Sequence, residues 1–513
     1  MGKFFEKIKL NEVEKYLIIC IVIIHFIVAS YIGLSPDEAH YALYAKFIDW
    51  SYYDHPPMVG WIQFAFYRFS ESELVLRIVP MLSWLFSLYL ILFLTKILKD
   101  SLQLENEIAR DSKSVRGEIQ LFALSPMLHL LAIALVPDTL LVPLILLLMI
   151  FTWQLLQSEN IENTRLRHWF RLGIILGLAG LTKYTSIFFV FPVAILLLKK
   201  FGFRMLVSSK IYLACLVAFL MITPVLYWNF NHNWSSFTYQ LNHASGSSEW
   251  LIRKCILFIL VLLLAYGPLL AIGFSKKKLF HGKVEGNVHF FSLIFTVPFL
   301  ILLICLSGRG STLPHWAAPA FVGLIPMVAI QIESFKKSIN RVYKTCLIIQ
   351  GTCVVGLFIL LGSAGLGQEF GAQKTFNSNN LSEKSKNNPF ADLYGWDVAA
   401  ETANEILQKY NVQKIAVSNW TLASRIAWYS IPHPVNVIDS RHDQFEIWFG
   451  ALKPSESVLW VDWSMMPFEF PTGKNQFESC DQVAQLPIEH WGRQISHFNF
   501  SICKNWLGQS ELN

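Results

Sequence analysis

The sequence predicts a polytopic α-helical membrane protein of about 11 to 13 transmembrane helices, followed by a small C-terminal α/β soluble domain. Of its 513 residues, 54% are hydrophobic and only 15% are charged, and the mean hydropathy is +0.43. These values depart from the soluble average toward a multi-span membrane protein. After the last long apolar run the sequence becomes polar and its apolar stretches become short. The change in composition predicts the second, soluble domain.

Ten apolar runs are long enough to cross about 30 Å of hydrocarbon. They lie near residues 16–34, 74–95, 119–136, 139–157, 172–198, 205–228, 252–274, 288–306, 314–331 and 345–364. The run 172–198 is too long for one span and contains Thr182-Lys183-Tyr184, so we predict two short helices there and about eleven crossings in total. The first run has no small-residue cleavage site after it and is predicted to be a retained anchor. The aromatic segment 35–57 that follows is predicted to lie as a short helix in the membrane interface.

Clusters of Lys and Arg mark alternate loops as cytoplasmic. The clusters lie near residues 96–116, 165–171, 199–204, 276–283 and 336–344. An odd number of crossings then places the N-terminus in the cytoplasm and the C-terminal domain outside. Because the cations sit in short clusters between apolar spans, the net charge of +6 indicates membrane topology and not a nucleic-acid partner.

Three consecutive parts are predicted: a transmembrane domain over 1–366, a polar linker over 367–389 and an outer α/β domain over 390–513. In the outer domain, the β-prone runs KIAVSN, PVNVID, SVLWVDW and HFNFSIC alternate with helical stretches such as WDVAAETANEILQKY. Cys480 and Cys503 are its only cysteines, and an oxidising compartment would allow them to pair. The remaining six cysteines are isolated in apolar runs without metal-ligand spacing.

The segment SPDEAHYALYAKFIDWSYYDHPP, residues 35–57, contains the most unusual acids of the chain. Ser35 suits an N-cap, Pro36 the first helical position and Glu38 the third position of a capping box. Asp37 is acceptable beside a helix dipole, but capping explains neither Asp54 nor the stiff prolines after it. Because carboxylates this close to a bilayer are costly, Asp37 and Asp54 are candidates for function.

These motifs resemble bacterial members of the protein O-mannosyltransferase-like family, whose relatives include the aminoarabinose transferase of lipid A. The similarity rests on an acidic pair after the first span, an aromatic segment, and then the motif Tyr53-Asp54-His55-Pro56-Pro57. Later segments are also similar: LVPDTLL, GLAGLTKYT around Lys183, YWNFNHNWSSF, HWAAPAF, and, in the outer domain, DLYGW (392–396) and RHDQFEIW (441–448). The resemblance therefore extends over most of the chain.

The resemblance implies a C-type glycosyltransferase fold in the bacterial cytoplasmic (inner) membrane. Such enzymes transfer a sugar, with inversion, from a polyprenyl-phosphate carrier to an acceptor hydroxyl of a glycolipid, polysaccharide or protein at the outer face. Asp37 is then the general base on the acceptor, and Asp54 orients a substrate or shares the proton. The leaving group is an ionised phosphate ester and needs no separate acid. No cofactor is required by this chemistry, and a divalent metal is left open.

The leaving phosphate needs cations or backbone donors at the outer face. Candidates are His55, Lys183 and Arg309. The lipid A aminoarabinose transferases usually have Lys at the position of His55, so a sugar or acceptor contact is the alternative for His55. Lys183 alternatively complements a helix C-terminus and snorkels, and Arg309, which lies between two glycines, alternatively snorkels. Further candidate substrate contacts are Glu38, Asp138, His232 and His315. For Asp138 a helix N-terminal acid is the alternative, and for His232 an interfacial aromatic belt.

Two other functions compete with glycosyl transfer. A carrier or flippase for lipid-linked sugars would also have many spans, but it should place ionisable groups near mid-bilayer and often contains internal repeats. Here the polar residues collect at one face, and no convincing repeat is found. A glycan receptor would need far fewer spans. The sequence therefore favours the enzyme.

Overall fold

The structure, a computed structural model, describes residues 8–102, 115–245, 249–268, 283–310, 312–333, 340–366, 388–439, 441–473 and 476–508. Most of these residues are helical, and a five-stranded sheet lies near the C-terminus. Eight helices among the described residues are long and apolar enough to cross a membrane. The predicted polytopic helical fold with a small C-terminal sheet domain is therefore confirmed, whereas the described residues contain eight candidate spans and not the 11 to 13 predicted.

The chain forms two compact units that are not continuous in sequence. The first unit comprises Met1–Ile27, Asp49–Val59 and Arg77–Val355, and the second comprises Val28–Ile48, Gly60–Leu76 and Gly356–Asn513. The predicted interfacial segment 35–57 is thus divided, with Asp37 in the second unit and Asp54 in the first. The predicted boundaries at 366 and 390 remain a proposal, and most of the predicted linker, 367–387, lies outside the described residues.

Fifteen α-helices lie between residues 12 and 362 of the described chain. They are α1 (Glu12–Tyr31), α2 (Pro36–Lys46), α3 (Met58–Tyr67), α4 (Glu73–Ser101), α5 (Gly117–Ala123), α6 (Pro126–Ile133), α7 (Pro137–Leu156), α8 (Leu166–Thr182), α9 (Val190–Phe201), α10 (Ser209–Asn231), α11 (Ser235–Ser245), α12 (Ile252–Tyr266), α13 (Lys283–Ser307), α14 (Ala318–Glu333) and α15 (Asn340–Gly362). Short 3-10 helices cover Tyr184–Phe189, Gly202–Val207 and Pro314–Ala317.

The predicted break in the run 172–198 is confirmed. Helix α8 ends at Thr182, Lys183 is extended (φ −157°, ψ 137°), and a 3-10 helix begins at Tyr184. The predicted span 119–136 instead forms the two short helices α5 and α6, because Pro126 begins a new helix directly after Ser125.

The predicted span 252–274 begins as α12, and that helix ends at Gly267 with φ +87°. A Cβ atom on Gly267 would lie 1.6 Å from the side-chain nitrogen of Gln350. Glycine is therefore required there by both the backbone and the packing. Residues 269–274 of this predicted span lie outside the described residues.

The second unit contains a mixed five-stranded sheet and three helices near the C-terminus. The elements are α16 (Trp396–Tyr410), β1 (Ile415–Val417), α17 (Trp420–Ser430), β2 (Val435–Val437), α18 (Gln444–Phe449), β3 (Val458–Trp463), β4 (Phe477–His490) and β5 (Arg493–Trp506). The strand order is β2-β1-β3-β5-β4, with β1 parallel to both neighbours and β5 antiparallel to both of its own. The four predicted β-prone runs became β1, β2, β3 and β5, and a disulfide joins Cys480 to Cys503 across β4 and β5.

Helix α2 is part of the hydrophobic core of the second unit. Its residues Ala39, Ala42 and Leu43 are fully or almost fully buried in one cluster with Trp396 of α16 and Ala423 of α17. The spacing i, i+3, i+4 places these three side chains on one helix face. The sequence predicted this segment as an interfacial helix, whereas in the structure most of its residues are buried.

The buried carboxyl of Asp462 should make the stability of the second unit depend on pH. It is buried within β3 and accepts a hydrogen bond from the Phe468 N–H at 3.1 Å. Burial raises its pKa from 3.8 to about 7. A carboxyl whose pKa is raised on folding stabilises the fold below its unfolded pKa, and that contribution is lost as the pH rises through 7.

We therefore expect Asp462→Asn to melt several degrees above the wild type at pH 8.5 and much closer to it at pH 5.5. Thermal unfolding of the purified protein at the two pH values measures this. Asp481→Asn, which neutralises an exposed carboxylate of β4, is the control. Its melting temperature relative to the wild type should not differ between pH 8.5 and pH 5.5. An equal effect of Asp462→Asn at both pH values would contradict the assignment.

Candidate active site

The start of α2 is a complete capping box, as predicted. The Ser35 hydroxyl accepts a hydrogen bond from the Glu38 N–H at 3.4 Å, and Glu38 Oε2 accepts one from the Ser35 N–H at 3.1 Å. Pro36 occupies the first turn. The buried carboxylate of Glu38 is thus engaged in the cap, and its contact with a substrate remains a prediction. Asp37 lies between these residues and is half-buried.

A buried arginine of the second unit lies within electrostatic range of Asp37. Arg425 of α17 is completely buried, forms an ion pair with Asp392, and stacks on the ring of Trp396 at 3.6 Å. Burial lowers the pKa of Arg425, while the charges of Asp392 and Asp37 oppose that change. Arg425 was not predicted from the sequence as a site residue. The DLYGW motif, which supplies Asp392 and Trp396, was the available indication.

Asp54 and His55 lie in a turn of the first unit that is bonded to α11. The Asp54 carbonyl accepts a hydrogen bond from Gln240 Nε2 at 2.7 Å, and the Tyr52 carbonyl accepts one from the Ser236 hydroxyl at 2.9 Å. The His55 carbonyl accepts a bond from the Tyr52 N–H at 3.2 Å. These bonds fix the backbone of the turn. Both Asp54 and His55 remain half-buried and thus partly accessible.

Asp138, Lys183 and His315 form a buried charged cluster in the first unit. Lys183 Nζ lies 2.6 Å from Asp138 Oδ2, and His315 Nε2 lies 3.6 Å from the same oxygen. Asp138 is 1% exposed and Lys183 is 4% exposed, so the ammonium does not snorkel. Lys183 Nζ also lies 5.0 Å from the ring centre of Trp316. The sequence named all three residues separately and did not predict that they meet.

One oxygen of this cluster has no hydrogen-bond partner. Asp138 Oδ1 is buried and accepts no bond from any described residue. Because an unsatisfied buried carboxylate oxygen is costly, this oxygen is suited to accept a hydrogen bond from a ligand hydroxyl.

The local structure requires glycine at both positions next to Arg309. A Cβ atom on Gly308 would lie 2.1 Å from the indole nitrogen of Trp250, and Gly310 has φ +90°. Arg309 itself is exposed, and its carbonyl accepts a bond from Lys254 Nζ at 3.2 Å. The glycines therefore do not by themselves indicate a phosphate site, and the role of Arg309 remains a prediction.

His232 belongs to a stack at the end of α10. Its ring lies parallel to that of Trp228 at 3.9 Å, and the Trp228 indole N–H donates to Asp49 Oδ2 at 2.8 Å. Asp49 is a further acid of the segment 35–57, and it was not predicted from the sequence as a site residue. Its place beside the aromatic WSYY run was the only indication. The predicted substrate contact of His232 remains a prediction.

Among the described residues, no group of three or more His, Cys, Asp and Glu side chains is arranged to hold a metal ion.

Known proteins resemble this chain in both sequence and fold. Residues 54–228 match the family model described as dolichyl-phosphate-mannose-protein mannosyltransferase. The lipid A galacturonosyltransferase RgtD of Rhizobium johnstonii is 23% identical over 293 residues, which are 56% of this chain and 58% of RgtD. The chain thus spans less than two thirds of that relative.

The crystal structures of ArnT from Cupriavidus metallidurans cover 95% of this chain, and the match spans 97% of ArnT. The apo structure has a TM-score of 0.56 at 14% identity, and the structure with bound undecaprenyl phosphate has a TM-score of 0.58 at 13% identity. The predicted family resemblance is confirmed. The chain has the ArnT fold, and the family match includes Asp54, His55, Asp138 and Lys183 but ends before Arg309 and His315.

Proposed function

We propose that this protein is an inverting membrane glycosyltransferase that moves a sugar from a polyprenyl-phosphate carrier to an acceptor hydroxyl. Support comes from the ArnT fold, from ArnT's binding of undecaprenyl phosphate, and from the similarity to a lipid A galacturonosyltransferase. Lipid A or its core is therefore the first acceptor to test, before polysaccharide and protein hydroxyls. The observation that supports the proposal most is the buried Asp138–Lys183 pair with its unsatisfied carboxylate oxygen.

In the proposed reaction, Asp37 acts as the general base. Its carboxylate takes the proton of the acceptor hydroxyl while the acceptor oxygen forms a bond to the anomeric carbon. The bond from that carbon to the phosphate oxygen breaks, and its electron pair leaves with polyprenyl phosphate. The attack from the opposite face inverts the anomeric carbon. The half-buried position of Asp37 is compatible with access by an acceptor.

The residues of the first unit would bind the donor. An ammonium group has three N–H donors, so Lys183 can keep its bond to Asp138 and still donate to a phosphate oxygen. Asp138 Oδ1 can accept a hydrogen bond from a sugar hydroxyl. His55 and Arg309 are further candidates for the phosphate, and Asp54 for orienting a substrate. Glu38, His232 and His315 complete the proposed substrate contacts.

The proposed location is the bacterial cytoplasmic membrane, with the N-terminus in the cytoplasm and the second unit's sheet outside. The disulfide between Cys480 and Cys503 supports an oxidising outer compartment. The alternation of Lys- and Arg-rich loops supports the same orientation.

Purified protein supplied with polyprenyl-phosphate hexoses and pentoses and with lipid A, polysaccharide or Ser/Thr peptide acceptors tests the function. We expect one donor and acceptor pair to yield a glycoside with wild type and none with Asp37→Asn. Equal transfer by both proteins would exclude Asp37 as the base. Movement of lipid-linked sugar across liposomes without any glycoside would support the carrier instead.

A further inference from the structure

We infer that Arg425 is a positioning residue for Asp37. The C-terminal part of the second unit then holds the carboxylate of the proposed base in position and keeps it ionised. This inference rests on the proposed function, in which Asp37 is the base. It assigns a role to the DLYGW motif, residues 392–396, which the proposed reaction itself leaves unused.

Helices α2 and α17 pack against each other along their length. His40, one turn after Asp37, has Nδ1 3.3 Å from the hydroxyl of Ser424, the neighbour of Arg425. At the end of α2, Lys46 Nζ donates to the Trp428 carbonyl at 2.8 Å. Because these contacts fix the register of the two helices, the first turn of α2 with Asp37 is held beside Arg425.

The chain that leads into Asp37 is anchored to the same segment. The Gly33 N–H donates to the carbonyl of Leu393 at 2.9 Å, and a Cβ atom on Gly33 would lie 3.0 Å from that oxygen. The hydroxyl of Tyr429, on α17, is hydrogen-bonded to Glu73. The residues on both sides of Asp37 are thus bound to residues between 393 and 429.

Two of the three guanidinium nitrogens of Arg425 donate hydrogen bonds, and the third does not. Its Nε donates to the Thr421 carbonyl at 3.2 Å, and its Nη1 donates to Asp392. Its Nη2 is buried and has no hydrogen-bond partner among the described residues. Trp396 and Trp463 cover the guanidinium at 3.6 and 5.5 Å and keep water away. A buried cationic donor without a partner is costly unless an anion lies nearby.

Asp37 is one of the anions whose charge acts on the Arg425 guanidinium. Asp392, Tyr429 and Asp37 are the groups that act electrostatically on the guanidinium. Asp392 is already bonded to Nη1, and the hydroxyl of Tyr429 is bonded to Glu73 and also lies in the field of Asp397. Among the other titratable groups on α2, Glu38 is engaged in the cap and His40 is enclosed by aromatic rings. Arg425 therefore favours the ionised form of Asp37.

The pH profile of transfer separates this role from a merely structural one. Loss of the cation in Arg425→Gln should raise the pKa of the base, so the acid limb of kcat/KM should move up by about one pH unit. We also expect kcat to fall at least about tenfold with KM changed far less. Arg425→Lys keeps the positive charge, so the acid limb of its kcat/KM profile should lie closer to that of the wild type than the limb of Arg425→Gln does. Asp392→Asn removes the competing carboxylate, so Arg425 should act more strongly on Asp37. The acid limb of kcat/KM should then move to lower pH.

Two further variants serve as controls for misfolding and for the loss of an unrelated ion pair. Arg425→Gln combined with Asp392→Asn removes both charges, so no half-buried carboxylate is left without its cation. Lys414→Gln breaks the Lys414–Glu456 pair of the same unit and should leave the profile unchanged. If the wild type transfers sugar and the folded Arg425 variants keep its acid limb, the inference is wrong. If the wild type transfers nothing with any donor, the proposed function itself has failed.

Discussion

Asp37→Asn is expected to lower kcat by about 10²- to 10⁴-fold, because the amide cannot accept the proton of the acceptor hydroxyl. The fold should persist, since Ser35 and Glu38, not Asp37, make the hydrogen bonds of the cap. KM for the donor should change little. Initial rates of glycoside formation with saturating donor measure the effect, and thermal unfolding verifies that the variant is intact.

Glu38→Gln tests whether the base is the neighbouring carboxylate, which we propose as a substrate contact and not as the base. It neutralises the adjacent carboxylate and preserves the side-chain oxygen that the cap uses. A loss of rate as large as that of Asp37→Asn would assign the base to Glu38 and not to Asp37. If Asp37 is the base, kcat of Glu38→Gln should change by no more than a few fold, and the loss of a substrate contact should appear in KM.

Lys183→Met is expected to abolish transfer and to destabilise the protein by about 3–5 kcal/mol, because it leaves Asp138 buried without its cation. Asp138→Leu should do the same by leaving Lys183 unpaired. The two residues lie 45 positions apart and meet at 2.6 Å. Thermal melting and transfer rates of both variants measure the two effects separately.

The double variant Lys183→Met with Asp138→Leu separates stability from function. Replacing both buried charges with apolar side chains should recover most of the lost stability. Transfer should remain absent, because neither the phosphate nor the sugar hydroxyl then has its partner. Recovery of transfer along with stability would show that the pair is structural only.

Local features were predictable from the sequence because they depend on neighbouring residues. The capping box at Ser35 and Glu38 and the break at Lys183 follow from residue type and spacing alone. The burial of α2 was not predicted, since its many aromatic side chains suit a membrane interface as well as a protein core. Only tertiary packing distinguishes the two environments.

The pairings that build the candidate site could not be predicted. Asp138 and Lys183 each had a local explanation, as a helix N-terminal acid and a snorkelling cation, and one sequence does not show which distant residues meet. The same holds for Asp392 and Arg425, which are 33 positions apart. Gly308 and Gly310 suggested a phosphate loop, whereas packing against Trp250 and a positive φ account for them.

The anomeric configuration of the product, measured by NMR together with the amount of polyprenyl phosphate released, tests the central claim most directly. An inverting glycosyltransferase should form a glycoside with the configuration opposite to that of the donor and should release one polyprenyl phosphate for each glycoside. Asp37→Asn should form neither product. Retained configuration, or lipid-linked sugar recovered intact after incubation with the acceptor, would contradict the account.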